Sequence, residues 1–174
     1  MLEGKLITVG ICACSPAPKA LDLIRALRKK GAEVHAILTP NALHFVPPLL
    51  VQRETGTPIQ VEAFELPDHY DAGHKSLSGE SDLLLLAPVS ANTLGKAAGG
   101  IADNLLSTTV LSVKCPIIAA THINPNMYAN KSVQRNIRQL KEDGVIFVES
   151  DAPRESLFPS VARIVETVER VLAD

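Results

Sequence analysis

Unbroken apolar blocks alternate along this chain with segments whose apolar positions recur every three or four residues. The blocks "KLITVGI" (5–11), "AEVHAIL" (32–38), "DLLLLAP" (82–88), "PIIAAT" (116–121) and "GVIFVE" (144–149) read as strands, and "IQVEAF" (59–64) fits a further one. Between the first two, Ser15 and Pro16 read as N-cap and first helical residue of a helix through "ALDLIRALRKK", which Gly31 closes. Thr39, Pro40 and Asn41 open a short helix through Phe45, stopped by Pro47 and Pro48, and 65–73 reads as a surface loop. The stretch after the third strand is helix-like up to the paired Gly99 and Gly100. A helix over about 126–142 precedes the last strand, and "LFPSVARIVETVERVLAD" ends the chain as an amphipathic helix. Strand and helix in this succession imply an α/β domain, with a parallel sheet, right-handed crossovers and helices on both faces.

In such a sheet, ligands bind beyond the carboxyl ends of the strands, where the strand order reverses. The loops after residues 11, 38, 87 and 120 therefore share the rim that matters. Composition narrows the rest. A chain of 174 residues, 46% hydrophobic, forms one domain spanning 1–174 with a real core. Six aromatic residues and no Trp suit a core of Leu, Ile, Val and Ala. A net charge of −2 without runs of like charge argues against nucleic-acid or membrane-surface partners. The start "MLEGKLITVG" carries Glu3 and no long apolar core, unlike a signal peptide. No stretch reaches the about 18 apolar residues of a membrane span. Three cysteines, Cys12, Cys14 and Cys115, make no disulfide framework and too few ligands for a zinc site, and place the chain in the cytoplasm.

On the ligand rim, Ser15 has two readings. It is a helix cap, or its hydroxyl joins the free amides of a helix start in holding a phosphate. Thr39 opens a second helix on the same rim and could reach the same anion. In the third loop, Ser90, Ala91, Asn92 and Thr93 are small enough to let a flat ring approach the backbone. Asn92 can donate and accept at once, matching the edge of a heteroaromatic ring, although Ser90 or Asn92 would also serve as a cap. Of five histidines, His35, His44 and His69 read as structural or solvated. His74 and His122 flank strands and are the candidates for acid–base work near neutral pH.

The segment "APVSANTLGKAAGGIADNLL" (87–106) closely resembles the Pro-x-Ser-Ala-Asn-Thr segment of the homo-oligomeric flavin-containing cysteine decarboxylases. The resemblance runs from "ITVGI" to "GVIFVE" and implies a Rossmann-like, flavodoxin-like fold that binds FMN near a trimer interface, as a homotrimer or homododecamer. Ser90, Ala91, Asn92 and Thr93 would then cradle the cofactor, Thr39 would contact its phosphate, and Phe45 would lie near the flavin. His74 stands where the family has its catalytic His, ahead of the Asp that opens the third apolar strand. "THINPNMY" (121–128) corresponds to Pro-x-Met-Asn-x-x-Met-Trp/Tyr, so Asn124 takes the place of the residue that holds the substrate carboxylate, and Met127 ends the motif beside it.

The chain departs from that pattern at three places. Cys12 and Cys14 stand where relatives usually have Thr or Ser, with Ser15 available as a hydroxyl. Thr121-His122-Ile123 replaces Pro-Ala-Met, which puts an imidazole at an FMN-contacting position. The connection "ESDAPRESLFPS" lacks the Ala-Cys-Gly segment and Gly-rich flap of the phosphopantothenoylcysteine decarboxylases. The implied activity is oxidative decarboxylation of a C-terminal cysteine or related thiol acid to an enethiol. Alternatives within the resemblance are phosphopantothenoylcysteine decarboxylation, flavin prenyl transfer, flavin reduction, and a non-catalytic FMN-binding regulator. Prenyl transfer fits least, because relatives with that activity carry Arg-Glu-Thr-Pro where this chain has "THINPN".

Overall fold

The computed structural model describes residues 1–61, 81–154 and 157–173. Five parallel strands, β1 (Leu6–Ile11), β2 (Glu33–Leu38), β3 (Leu83–Val89), β4 (Ile117–Thr121) and β5 (Ile146–Phe147), form one sheet in the order β2-β1-β3-β4-β5. This is the flavodoxin-like doubly wound order, whose reversal falls between β1 and β3. The helices are α1 (Lys19–Lys29), α2 (Pro48–Thr55), α3 (Ala91–Ala98), α4 (Leu105–Ser112), α5 (Pro125–Tyr128), α6 (Lys131–Glu142) and α7 (Val161–Val171), with a 3-10 turn over Pro40–His44.

The sheet is covered on both faces because its strands are apolar on both. Ile7, Val9, Ile11, Leu83, Leu85, Ala87, Ile118 and Ala120 point to one side. There they pack against Leu23, Ile24 and Leu27 of α1 and Ile164 and Val168 of α7. Leu84, Leu86 and Ala119 point to the other, against Leu94 of α3, Leu106 and Val110 of α4, and Ile137 and Leu140 of α6. Gly10 permits the closest of these approaches, since a Cβ there would stand 2.5 Å from Leu106 Cδ1. Leu85, fully buried on the central strand, sets the scale of the core. Leu85→Ala is expected to lower stability by about 2–5 kcal/mol, read from the midpoint of chemical denaturation.

Several local expectations are corrected. Helix α1 begins at Lys19, with Pro18 as its N-cap, so Ser15 is not the cap. Pro18 has no N–H to give to Cys14 O, and the chain ahead of α1 closes in tight turns instead, among them Ala17 N–H to Cys14 O and Lys19 N–H to Pro16 O. Pro48 does not merely stop the preceding turn but opens α2 as its first residue. Of the strand expected at 59–64, Gln60 forms a single parallel bridge to Ile37, and 62–64 lie outside the described residues, as does the loop expected at 65–73. The helix expected over 126–142 is two helices, because Asn130 restarts it by accepting from Ser132 N–H. The sequence pattern predicts no helix over 105–112, where α4 stands; Asn104 and Ser107 start it with a reciprocal capping box.

The strand ends are flush. Ile11 pairs with Leu38, and Val89 with Thr121. The ladder continues one residue into each following loop, from Thr39 N–H to Ile11 O, Cys12 N–H to Pro88 O and His122 N–H to Val89 O. Those bonds fix the starts of three of the rim loops against one another at the point where the strand order reverses.

Candidate active site

The four rim loops enclose a cleft of about 690 Å³, within the size range of small-molecule sites. Ala13 and Cys14 come from the first loop, Thr39 and Asn41 from the second, Ser90 to Thr93 from the third, and His122 to Asn124 from the fourth. Met127 of α5 lines it as well, and so do Lys96, Asp103 and Asn104.

Several donors at or beside this cleft have no protein partner among the described residues. The amides of Ala13 and Ser15 donate to no group among the described residues. The Thr39 side chain does not cap the 3-10 turn that it precedes. The first amides of α3 open into the same cleft, where a helix start leaves N–H groups without internal partners. Ser90 satisfies one of them, accepting from Thr93 N–H at 3.3 Å, so the capping reading of Ser90 holds. Thr93 is turned inward; its hydroxyl lies 3.3 Å from Ser90 Oγ and 3.2 Å from Cys12 Sγ. Asn92, one residue earlier, is exposed at the cleft and leaves its amide to a ligand.

Both cysteines of the first loop are held as thiols. Burial pushes Cys12 up, and burial followed by the neighbouring Cys12 pushes Cys14 up to about 12. Neither is a thiolate nucleophile at neutral pH. Cys115 is raised too, by burial first, and belongs to the opposite rim, close enough to Asp82 to feel its charge.

The fourth rim loop carries Asn124, whose Oδ1 accepts from Asn126 N–H at 3.0 Å and caps α5. That bond assigns the oxygen, so Nδ2 is the donor left for a ligand. His122, two residues earlier, is held at both ring nitrogens. Phe158 N–H donates to Nδ1 at 3.3 Å, and Nε2 lies 3.0 Å from Ser15 Oγ. Burial, and then the charge of Lys19, holds its pKa below the ordinary histidine value.

The structure thus brings Thr39, Ser90, Ala91, Asn92, Thr93, His122, Asn124 and Met127 to one cleft, with Ser15 bonded to its edge. Phe45 is 43% exposed at the end of the 3-10 turn and is not among the lining residues. His74 lies outside the described residues. The cleft also takes in Lys96 and Asp103, paired at 2.7 Å, which no local sequence pattern places there. Their pairing depends on the turn at Gly99 and Gly100, which returns the chain so that Ile101 N–H meets Lys96 O. The "GGIADN" stretch signals only that turn.

A family model described as flavoprotein matches residues 1–173. The chain belongs to the flavoprotein family. This flavoprotein is 35% identical over 144 residues to the coenzyme A biosynthesis bifunctional protein CoaBC of Vibrio vulnificus, covering 83% of this chain and 36% of that one. It therefore spans little more than a third of the first curated relatives that it matches. Among solved structures it is similar to the FMN-dependent cysteine decarboxylase SpaF, with a TM-score of 0.88, 30% identity, and 99% and 98% of the two chains covered. It is also similar to a PPC decarboxylase mutant complexed with pantothenoylaminoethenethiol, with a TM-score of 0.81, 25% identity, and 98% and 99% covered. The resemblance carried by residues 87–106 and the fold it implied both hold.

Proposed function

We propose that this flavoprotein binds FMN in the cleft and oxidatively decarboxylates a C-terminal cysteine or related thiol acid to an enethiol. The observation that carries this reading is the set of donors gathered at one cleft. The amides of Ala13 and Ser15 and the Thr39 hydroxyl have no protein partner among the described residues, and Asn124 offers Nδ2 from the β4 loop. Ser15, Thr39 and the start of α3 would hold the phosphate, and Ala91 and Asn92 would lie along the ring. The residues fit such a group, because the amides of Ala13 and Ser15 and the uncapped Thr39 are donors that no group among the described residues takes up.

When bound, FMN supplies a two-electron acceptor for a hydride equivalent from the thiol-bearing carbon. The chain's own part is positioning and proton management. Asn124 Nδ2 would donate to the substrate carboxylate and hold it until carbon dioxide leaves. His74 would take the thiol proton. Met127, 52% exposed at the cleft, would cover the substrate's apolar flank. Fixed orientation of this kind can supply roughly 7–11 kcal/mol of a barrier.

A second reading, phosphopantothenoylcysteine decarboxylation, is favoured by the 35% identity to CoaBC. It requires a further step in which the enethiol is reduced and a proton reaches carbon, and the connection 149–160 carries no cysteine to deliver it. In either reading the assembly proposed is a homotrimer or homododecamer in the cytoplasm. Exposed Leu43, Phe45 and Ile101 support the first part, and three free cysteines the second. Among the described residues, no helix is long and apolar enough to cross a membrane.

The purified protein is expected to be yellow and to release FMN on heating, identified by chromatography beside FAD. The cleft's donors serve one phosphate, and the first loop lacks the spaced glycines that admit a pyrophosphate. Anaerobic addition of a C-terminal cysteine peptide should bleach the bound flavin. Released FAD, or a colourless protein that ignores added FMN, contradicts the cofactor assignment. Unbleached FMN contradicts the redox role.

A further inference from the structure

The contacts of His122 determine its protonation. A backbone N–H can only donate, so the bond from Phe158 N–H leaves Nδ1 without a proton. The neutral ring then carries its hydrogen on Nε2, and Ser15 Oγ, 3.0 Å away, is the acceptor. A serine hydroxyl that accepts from a fixed donor keeps its own hydrogen for a partner elsewhere. Among the described residues, no bond from that hydroxyl to another protein group is seen, and Ser15 is not the cap of α1.

The ring is braced from the side away from the cleft. Phe158 is buried in the core beneath α7. Its neighbourhood is pinned by Ser150 Oγ–H to Leu157 O at 3.0 Å and by Ser160 N–H to Asp151 Oδ1 at 2.7 Å. The ring's own backbone is tied to the sheet through His122 N–H and Val89 O. The connection between β5 and α7 therefore reaches the cleft indirectly, through the imidazole, and fixes the Ser15 hydroxyl as a donor.

Resting on the FMN reading above, we propose that His122 is a positioning residue that sets the Ser15 hydroxyl as a donor to the FMN phosphate. Thr39 and the free amides of Ala13 and Ser15 complete that phosphate's set of donors. His122 itself touches the serine rather than the anion. Its contribution is to remove the rotational freedom that an exposed serine would otherwise lose on binding.

The test is titration of flavin-stripped protein with FMN and with riboflavin, which lacks the phosphate, followed by quenching of flavin fluorescence. Ser15→Ala should weaken FMN about tenfold to a hundredfold, the range for a hydrogen bond to a charged group. His122→Asn keeps an acceptor for Phe158 N–H but cannot reach Ser15, and should weaken FMN about threefold to tenfold. His122→Gln, which can place an N–H near Ser15, should recover most of that loss. Riboflavin affinity should be unchanged throughout, and the double variant Ser15→Ala/His122→Asn should be no worse than Ser15→Ala alone. Equal losses for FMN and riboflavin overturn the assignment to the phosphate. Unchanged FMN affinity in His122→Asn overturns the positioning role. Failure of the unaltered protein to bind either flavin overturns the FMN reading itself, and this inference with it.

Discussion

Asn124→Asp is expected to leave the protein folded and flavin-bound and to lower turnover at least about a hundredfold. The prediction separates the cap that Asn124 forms from the carboxylate contact proposed for it. As a cap, Asn124 accepts from Asn126 N–H through Oδ1, and aspartate caps a helix equally well. The thermal midpoint should therefore hold. As the proposed donor, Nδ2 would meet the substrate carboxylate, and aspartate replaces that donor with a second negative charge. A lost hydrogen bond to a charged group costs about 1.5–3 kcal/mol, and like-charge repulsion in a partly enclosed cleft adds to it. The loss should appear in kcat/KM for the thiol acid, with no change in FMN affinity. Unchanged kcat/KM would limit Asn124 to capping α5.

His74→Asn is expected to cost about 10²–10⁴-fold in turnover, the usual loss when a general acid–base group is removed. The choice of His74 over His122 has a physical basis. His122 is engaged at both nitrogens, and protonating Nδ1 would break the bond from Phe158 N–H. Burial, then Lys19, also opposes its charged form. A general base that must gain a proton is poorly served by such a ring. Single-turnover bleaching of bound flavin measures the effect without interference from flavin reoxidation. A His74→Asn variant that bleaches at the unaltered rate contradicts the assignment.

The sheet was legible in the sequence because strands buried on both faces leave continuous apolar runs, as "DLLLLAP" does at β3. Flush strand ends then followed from parallel topology, and with them the rim loops that hold Thr39, Asn92 and Asn124. Local grammar failed where two prolines competed. Ser15-Pro16 looks like a helix start, but Pro18 delays α1 to Lys19 and frees the Ser15 hydroxyl for another partner.

What remained hidden was long-range. Phe158 meets His122 only because the connection after β5 folds back over the end of β4. Lys96 meets Asp103 only because Gly99 and Gly100 turn the chain; Gly100 does so at a φ of 67°. No spacing rule encodes either contact. Asn104 and Ser107 did leave a local signal, a capping box with Asn and Ser, but its helix "LLSTTVLS" has no amphipathic period to announce it.

The measurement that tests the central claim most directly is the mass of the product formed from a peptide ending in cysteine, incubated with the FMN-loaded protein. The enethiol reading predicts a product lighter by one carbon dioxide and two hydrogens, its electrons having passed to the flavin. A product lighter by carbon dioxide alone would mean that reduction follows and a proton reaches carbon, as the second reading requires. A peptide recovered unchanged would contradict decarboxylation of such substrates altogether.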